Sequence, residues 1–316
     1  MNLKKPKFWD YKKPNIYAYC LLPIAYLLQI LNSFKFVKKQ KTKKLKIKTI
    51  CIGNIYIGGT GKTSLSIKIN EILNTNNIKS CFIKKIYKNQ IDEKKLLETR
   101  GKVFSSLKRI DAINQAENEK FEVAILDDGL QDHTLKCDIN FVCFNNLNWK
   151  GNGLTIPAGP LRENIYQLKK YQHVFLNGNH DDLSDIKKDI LLINSNINIH
   201  TGIYQPINIH EFDKSTQYLV FSGIGNHQTF IKMIEENGFN ISKDIEFPDH
   251  YKYTEKDIKQ ILDQANSLNS KIITTEKDYL RLENKMTKGI KFIKSVLKII
   301  DEKKLINTIL EKNEIN

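Results

Sequence analysis

The stretch IKTICIGNIYIGGTGKTS, residues 47–64, decides the fold. It opens as an apolar β-type run, IKTICIGN (47–54), and passes through Gly58-Gly59-Thr60-Gly61-Lys62-Thr63-Ser64 into a helical pattern from Lys62 to about Leu73. Four of the fifteen glycines, at 53, 58, 59 and 61, fall within nine residues. Glycines between a strand and a helix permit positive φ, so that backbone amides and the helix N-terminus can close on phosphate oxygens. In that frame Lys62 reaches the β- and γ-phosphates of a nucleotide and the Thr63 hydroxyl takes Mg²⁺. The strict spacing G-x-x-x-x-G-K-[ST] asks for glycine where this chain has Tyr56.

Outward from the loop, short apolar runs alternate with helical stretches. Strands are expected at 78–85, 121–129, 138–145 and 173–178, with a helix over 106–117. After a polar stretch at 177–189 a second α/β series begins: strand 217–225, helices 226–237 and 254–267, strands 271–275 and 290–297, and a last helix over about 301–312. Continuous apolar strands separated by helices predict a parallel sheet covered on both faces. The fold class is therefore α/β: a P-loop NTPase-type parallel sheet sandwiched by helices, a second smaller α/β domain, and an N-terminal membrane-associated helix. The expected division is 1–48 for the helix and its basic flank, 49–200 for the P-loop domain, and 201–316 for the smaller domain completing the active site.

Composition narrows the class. The 316 residues are 41% apolar, which suits a globular chain. The net charge is +15, yet residues 1–48 hold thirteen lysines against Asp10 alone, so the body is close to neutral. No basic nucleic-acid face is indicated on it. Residues 16–31, IYAYCLLPIAYLLQIL, carry no charge and are flanked by lysines, Trp9 and tyrosines. The run is short for a span of about 20 residues and fits an interfacial helix on an anionic membrane. Five cysteines without C-x-x-C spacing read as buried free thiols from a reducing compartment.

A second acidic signal is VAILDDG, where four apolar residues end in Asp127-Asp128. A carboxylate at such a strand end orients Mg²⁺ or its waters in P-loop proteins. The residues alone leave the destination of the phosphate open. No N-K-x-D guanine signature is present, and the loop is similar to that of ParA-type ATPases, though Ile57 stands at their signature lysine. A membrane-recruited ParA-like ATPase and a nucleotide-binding adaptor without transferase activity remain alternatives at this point.

Taken in order, CIGNIYIGGTGKTS, ILDDGLQ, GNGLTIPAGPLRE, FSGIGNHQTF, FPDHYKYT and TTEKDYLRL, with the opening PKFW…LLPIAYLL, resemble the tetraacyldisaccharide 4'-kinase family over residues 6 to about 283. The resemblance implies an ATP- and Mg²⁺-dependent kinase at the cytoplasmic face of a Gram-negative inner membrane. Its substrate would be a lipid A disaccharide 1-phosphate, phosphorylated on the 4'-hydroxyl. It implies ATP binding by Gly58, Gly59, Thr60, Gly61, Lys62, Thr63 and Ser64, and a metal site drawn from Thr63, Glu93, Asp127 and Asp128. IDEK stands for the family's G-D-E-P, so Asp92 matches the acid of a catalytic dyad whose histidine is His250 in FPDH, and Lys62 acts with them. Arg162 and Glu163 match an Arg-Glu pair near the substrate. The family's Arg-Gly-Tyr-Gly is KIYK here, leaving Tyr87; His133 follows Asp132 rather than glutamine; and His227 stands where proline is usual.

Overall fold

A computed structural model describes residues 5–37, 45–86, 91–132, 134–178 and 182–310; the side chains of 32–37, 91 and 92 lie outside that description. The run around the glycine loop forms β1 (Lys48–Gly53), and its side chains alternate between two cores. Cys51 packs in one cluster, Ile50 and Ile52 in the other. This two-sided burial is why the strand reads as continuously apolar rather than alternating. β1 lies between β4 (Val123–Asp127) and β5 (Ile139–Asn145), parallel to both.

The larger sheet continues on one side through β2 (Ser80–Lys85) to β3 (Val103–Ser106), and on the other through β6 (His173–Asn177) and β7 (Asn198–Pro206) to β12 (Ser295–Ile299). Every neighbouring pair is parallel except β7 with β12. Helices α4 (Arg109–Asn118) and α5 (Ser184–Ile193) bury Ile113, Ala116 and Ile190 on one face. Helices α2 (Lys62–Thr75) and α9 (Glu302–Leu310) bury Leu65, Ile69, Leu305 and Ile309 on the other. The fold is thus α/β with a parallel sheet between helical layers. Cys51, Cys81 and Cys143 are buried free thiols, and burial pushes Cys81 up to about 12.

A second, all-parallel sheet holds β8 (Gln217–Ser222), β9 (Asn240–Glu246), β10 (Lys271–Thr275) and β11 (Ile290–Ile293), in the order β11-β10-β8-β9. Helix α6 (His227–Glu236) packs Phe230, Met233 and Ile234 on one side, and α7 (Glu255–Ser267) packs Ile258 and Ile261 on the other. The single strand expected over 290–297 is two strands in different sheets. The chain turns at Lys294, whose N–H donates to Asn208 Oδ1 at 2.9 Å, while its carbonyl accepts from Ile207 N at 2.9 Å. The buried Asn208 so fastens the outgoing and returning connectors side by side. Position 200, the expected boundary, lies inside β7, and residues 295–310 return to the larger sheet. The smaller sheet is built from the consecutive strands β8 to β11, and the larger sheet is the one that is discontinuous in sequence, taking β1 to β7 and then β12.

The N-terminal helix is α1 (Ile16–Val37), with Pro23 inside it. Asn15 Oδ1 caps its start by accepting from Ala18 N at 3.1 Å. Ala18 and Ala25 are buried, while Ile16, Tyr17, Tyr19, Ile24, Tyr26, Leu27, Leu28, Ile30 and Leu31 are exposed. Among the described residues no helix is long and apolar enough to cross a membrane.

Candidate active site

The register of the larger sheet places Ile52 of β1 opposite Asp127 of β4, so the glycine loop and the strand-end acids share one edge. Such C-terminal strand edges are where open α/β sheets bind ligands. Gly61 caps α2 with φ 74°, and a Cβ there would sit 2.4 Å from the Tyr204 hydroxyl. Gly59 lies against the backbone of Gly225, 2.7 Å from where its Cβ would reach. These two positions therefore require glycine. Tyr56 does not fill a glycine's place in the turn. It forms a β-bridge with Leu161, and the flanking bonds Ile57 N to Pro160 O (2.8 Å) and Arg162 N to Ile55 O (2.6 Å) zip the approach to the loop onto the PAGPLRE segment. Its hydroxyl accepts from Lys5 Nζ at 2.9 Å and donates to Asp10. Trp9 Nε1 donates to Pro157 O at 3.0 Å. The N-terminal arm is thereby fixed to the base of the loop.

Gly59→Ala should cut ATP affinity at least about tenfold, because a new Cβ meets backbone rather than a yielding side chain. Equilibrium binding of a fluorescent ATP analogue measures it; unchanged affinity would mean that the apposition of Gly59 and Gly225 does not shape the site.

Asp127 is buried. It accepts from Ser66 Oγ at 3.2 Å and from Thr63 Oγ1 at 3.5 Å, and pairs with Lys84 Nζ at 2.6 Å. Asp128, with φ 56°, turns the other way. It meets Lys62 Nζ at 3.7 Å and Arg162 at 3.2 Å, and its carbonyl accepts from Arg109 at 2.6 Å. Burial raises the Asp128 carboxyl, but Lys62, Arg162 and Lys84 outweigh it and hold the group below its ordinary range. Gln131 links Arg162 (3.2 Å) to Glu163 (3.1 Å) and to the Asn54 carbonyl (3.0 Å). Ser64 accepts from Tyr204 at 3.4 Å, and the Thr60 carbonyl accepts from Asn177.

Helix α3 (Ile91–Glu98) brings Glu93 to the same edge. Its carboxylate meets Lys84 at 2.5 Å, Lys277 at 3.2 Å and His250 Nε2 at 3.6 Å. Burial raises the carboxyl, yet Lys277, Lys84 and Lys62 together hold it well below the carboxylate range. Burial likewise works against the Lys84 ammonium, and Asp127 and Glu93 push that group above its ordinary value instead. Lys277 lies in α8 (Glu276–Tyr279) and His250 in the loop after β9, so both arrive from the smaller sheet. His250 has φ 58°, and its N–H donates to Gly223 O at 3.1 Å. Asp92 lies in the first turn of α3; its side chain, and the whole of Tyr87 and His133, fall outside the described residues.

Thr63 Oγ1 and Asp127 Oδ2 are the hard oxygen pair that a magnesium ion bound through few protein ligands uses, so these residues fit the ion. Asp128 faces Lys62 and Arg162 instead. Among the described residues no group of three or more His, Cys, Asp or Glu stands ready as a cage for a metal. Sequence reasoning missed Lys84, Ser66, Gln131 and Lys277. The available signal was Lys84 itself, a lysine closing the otherwise uncharged run SCFI.

A parallel sheet whose strand ends present a glycine loop, a lysine and a buried acid defines a P-loop nucleotide-binding protein. The family model for tetraacyldisaccharide-1-P 4'-kinase matches residues 17–314. A tetraacyldisaccharide 4'-kinase of Pelagibacter ubique is 60% identical over 316 residues, all of both chains. One from Rickettsia bellii is 34% identical over 89% of this chain and 90% of its own. The chain belongs to the tetraacyldisaccharide 4'-kinase family. A crystal structure of LpxK from Aquifex aeolicus in complex with ATP shares the fold, with TM-score 0.66 at 23% identity over 94% of this chain and all of that one.

Proposed function

We propose that this protein transfers the γ-phosphate of ATP to the 4'-hydroxyl of a lipid A disaccharide 1-phosphate, a step of lipid A biosynthesis. The observation that carries the reading is the meeting, at one sheet edge, of Lys62 and Asp127 from the larger sheet with His250 and Lys277 from the smaller, in a chain of this family.

The amides of Gly58 to Ser64 cradle the phosphates, and Lys62 leaves Asp128 to meet the γ-phosphoryl oxygens as charge builds on them. Thr63 and Asp127 would hold a magnesium ion brought with ATP, which would supply neutralising charge to the phosphate oxygens. His250 takes the proton of the sugar hydroxyl as its oxygen attacks phosphorus and ADP departs, and Asp92, whose side chain lies outside the described residues, is its dyad partner by family resemblance alone. Glu93 holds the His250 ring and Lys277 in place. Arg162, with Glu163 steadied through Gln131, offers a fork of donors to an anionic group of the substrate. The smaller sheet, inserted between β7 and β12, supplies half of this site, which supports treating it as a separate functional domain. Incubating the full chain with γ-labelled ATP, Mg²⁺ and the disaccharide 1-phosphate should yield labelled lipid. Absence of transfer where ATP still binds would end the kinase reading, and ATP turnover without lipid labelling would favour a plain ATPase.

A lipid substrate also gives the exposed apolar residues of α1 a role. We infer that α1 lies on an anionic membrane surface, its apolar residues in the acyl boundary and Lys7, Lys12 and Lys13 before it at the headgroups; the lysine side chains of the basic flank over 35–44 lie outside the described residues. Leu27 and Leu31 are spaced one turn apart and 57% and 50% exposed. Replacing both with aspartate should lower co-sedimentation with phosphatidylglycerol vesicles by about tenfold or more, since each buried leucine contributes roughly 1.5–3 kcal/mol. Undiminished sedimentation would remove α1 from the membrane contact.

A further inference from the structure

Lys84 is the penultimate residue of β2, and the register Ile83↔Leu126 makes it the cross-strand neighbour of Asp127. It is 3% exposed. Its ammonium lies 2.6 Å from Asp127 Oδ2 and 2.5 Å from Glu93 Oε2. A lysine so buried is stable only if paired, and two buried carboxylates this close repel unless a cation stands between them. Asp127 Oδ2 is also the oxygen facing the Thr63 hydroxyl. The lysine therefore sits on the same carboxylate oxygen that a magnesium ion at Thr63 would use.

We propose that Lys84 is a positioning residue that serves as the site's resident cation. Its ammonium holds Asp127 and Glu93 together before the nucleotide arrives, and so keeps free metal out until metal enters with ATP. This rests on the reading of Thr63 and Asp127 as the metal-side residues. One covalently tethered charge then does two things. It joins α3, which carries Glu93, to the end of β4 in the empty protein. It also fills the negative site that would otherwise recruit a divalent ion on its own. When the metal comes with the phosphates, the ammonium keeps Glu93 while yielding part of Asp127. Glu93 thus remains in register with His250 and Lys277, and the half of the site contributed by the smaller sheet is undisturbed by metal entry.

The test reads metal binding without catalysis. Thermal unfolding of the nucleotide-free full chain is followed with and without 10 mM Mg²⁺ (about this concentration, well above ordinary metal affinities), for the native protein and for Lys84→Met. The native protein should not respond. Lys84→Met should melt several degrees lower, because a buried pair has lost one partner, and Mg²⁺ should restore most of that loss. Lys84→Arg, which keeps the cation, should be as indifferent to Mg²⁺ as the native chain. A native protein that responds as strongly as Lys84→Met overturns the proposal and leaves the metal reading of Thr63 and Asp127 standing. If neither responds, both fall. Should Lys84→Met fail to fold, Mn²⁺ binding to the native chain, followed by electron paramagnetic resonance, decides. It is expected to be at least about tenfold tighter with a non-hydrolysable ATP analogue than without one. Equal affinity overturns the proposal.

Discussion

Lys62→Ala will lower phosphoryl transfer by about 10³-fold, the scale on which one preorganised charge at a developing oxyanion acts. Lys62 is the only cation that the glycine loop itself supplies, and its partner Asp128 is shared with Arg162. That sharing separates function from folding. With Lys62 removed, Asp128 keeps Arg162 at 3.2 Å and the Arg109 bond to its carbonyl, so the strand end stays formed and the melting temperature should move little. Lys62→Arg should not rescue the rate, because a planar fork does not replace a compact point charge under a glycine loop. The measurement is single-turnover transfer at saturating ATP, with ATP binding and thermal unfolding in parallel. A loss of less than tenfold would exclude Lys62 from the transfer step.

His250→Asn will lower kcat by about 10²–10⁴-fold, the usual range for a general base, and change the KM for ATP much less. Asparagine is the informative replacement because His250 holds φ 58°. Asparagine tolerates the left-handed region, whereas alanine there would mix backbone strain with lost chemistry. The bond from the residue 250 amide to Gly223 O survives the change, and with it the apposition of Gly225 and Gly59. Glu93→Gln should follow in the same direction, since it loosens both His250 and Lys277. A fully active His250→Asn would remove histidine from the proton transfer and leave the role to Asp92.

The strands that carry the glycine loop and the acid were legible because they are buried on both faces, and an uninterrupted apolar run survives any detail of packing. Strand β9 was not, since NISKDIE is largely exposed at a sheet edge and offers no apolar run. Helix α3 was hidden by its brevity and charge. The split at Lys294 has no local mark at all: IKFIKSVL is one β-type run in sequence, and the tertiary bonds from Ile207 and Asn208 hold the turn that divides it. Tyr56 shows the reverse case. As a departure from a spacing rule it looked like damage to the loop, whereas its backbone bridge to Leu161 and its tie to Asp10 make it an anchor. In sequence Lys84 is marked only by closing the otherwise uncharged run SCFI, one lysine among many. Its meaning comes from register and burial, which appear only when β2 is laid beside β4.

The antiparallel ladder between β7 and β12 ties Pro206 to Ser295 and Gly202 to Ile299. During synthesis on the ribosome, the parallel core from β1 to β7 can assemble as soon as it emerges, but the outer edge of β7 then waits, unpaired, while the whole smaller sheet is made. An open edge of this kind is a template for pairing with another chain, and contacts so distant in sequence are late to form. The nascent protein is therefore most exposed to misassembly in the interval when its nucleotide loop is already in place, and the arrival of β12 ends that interval.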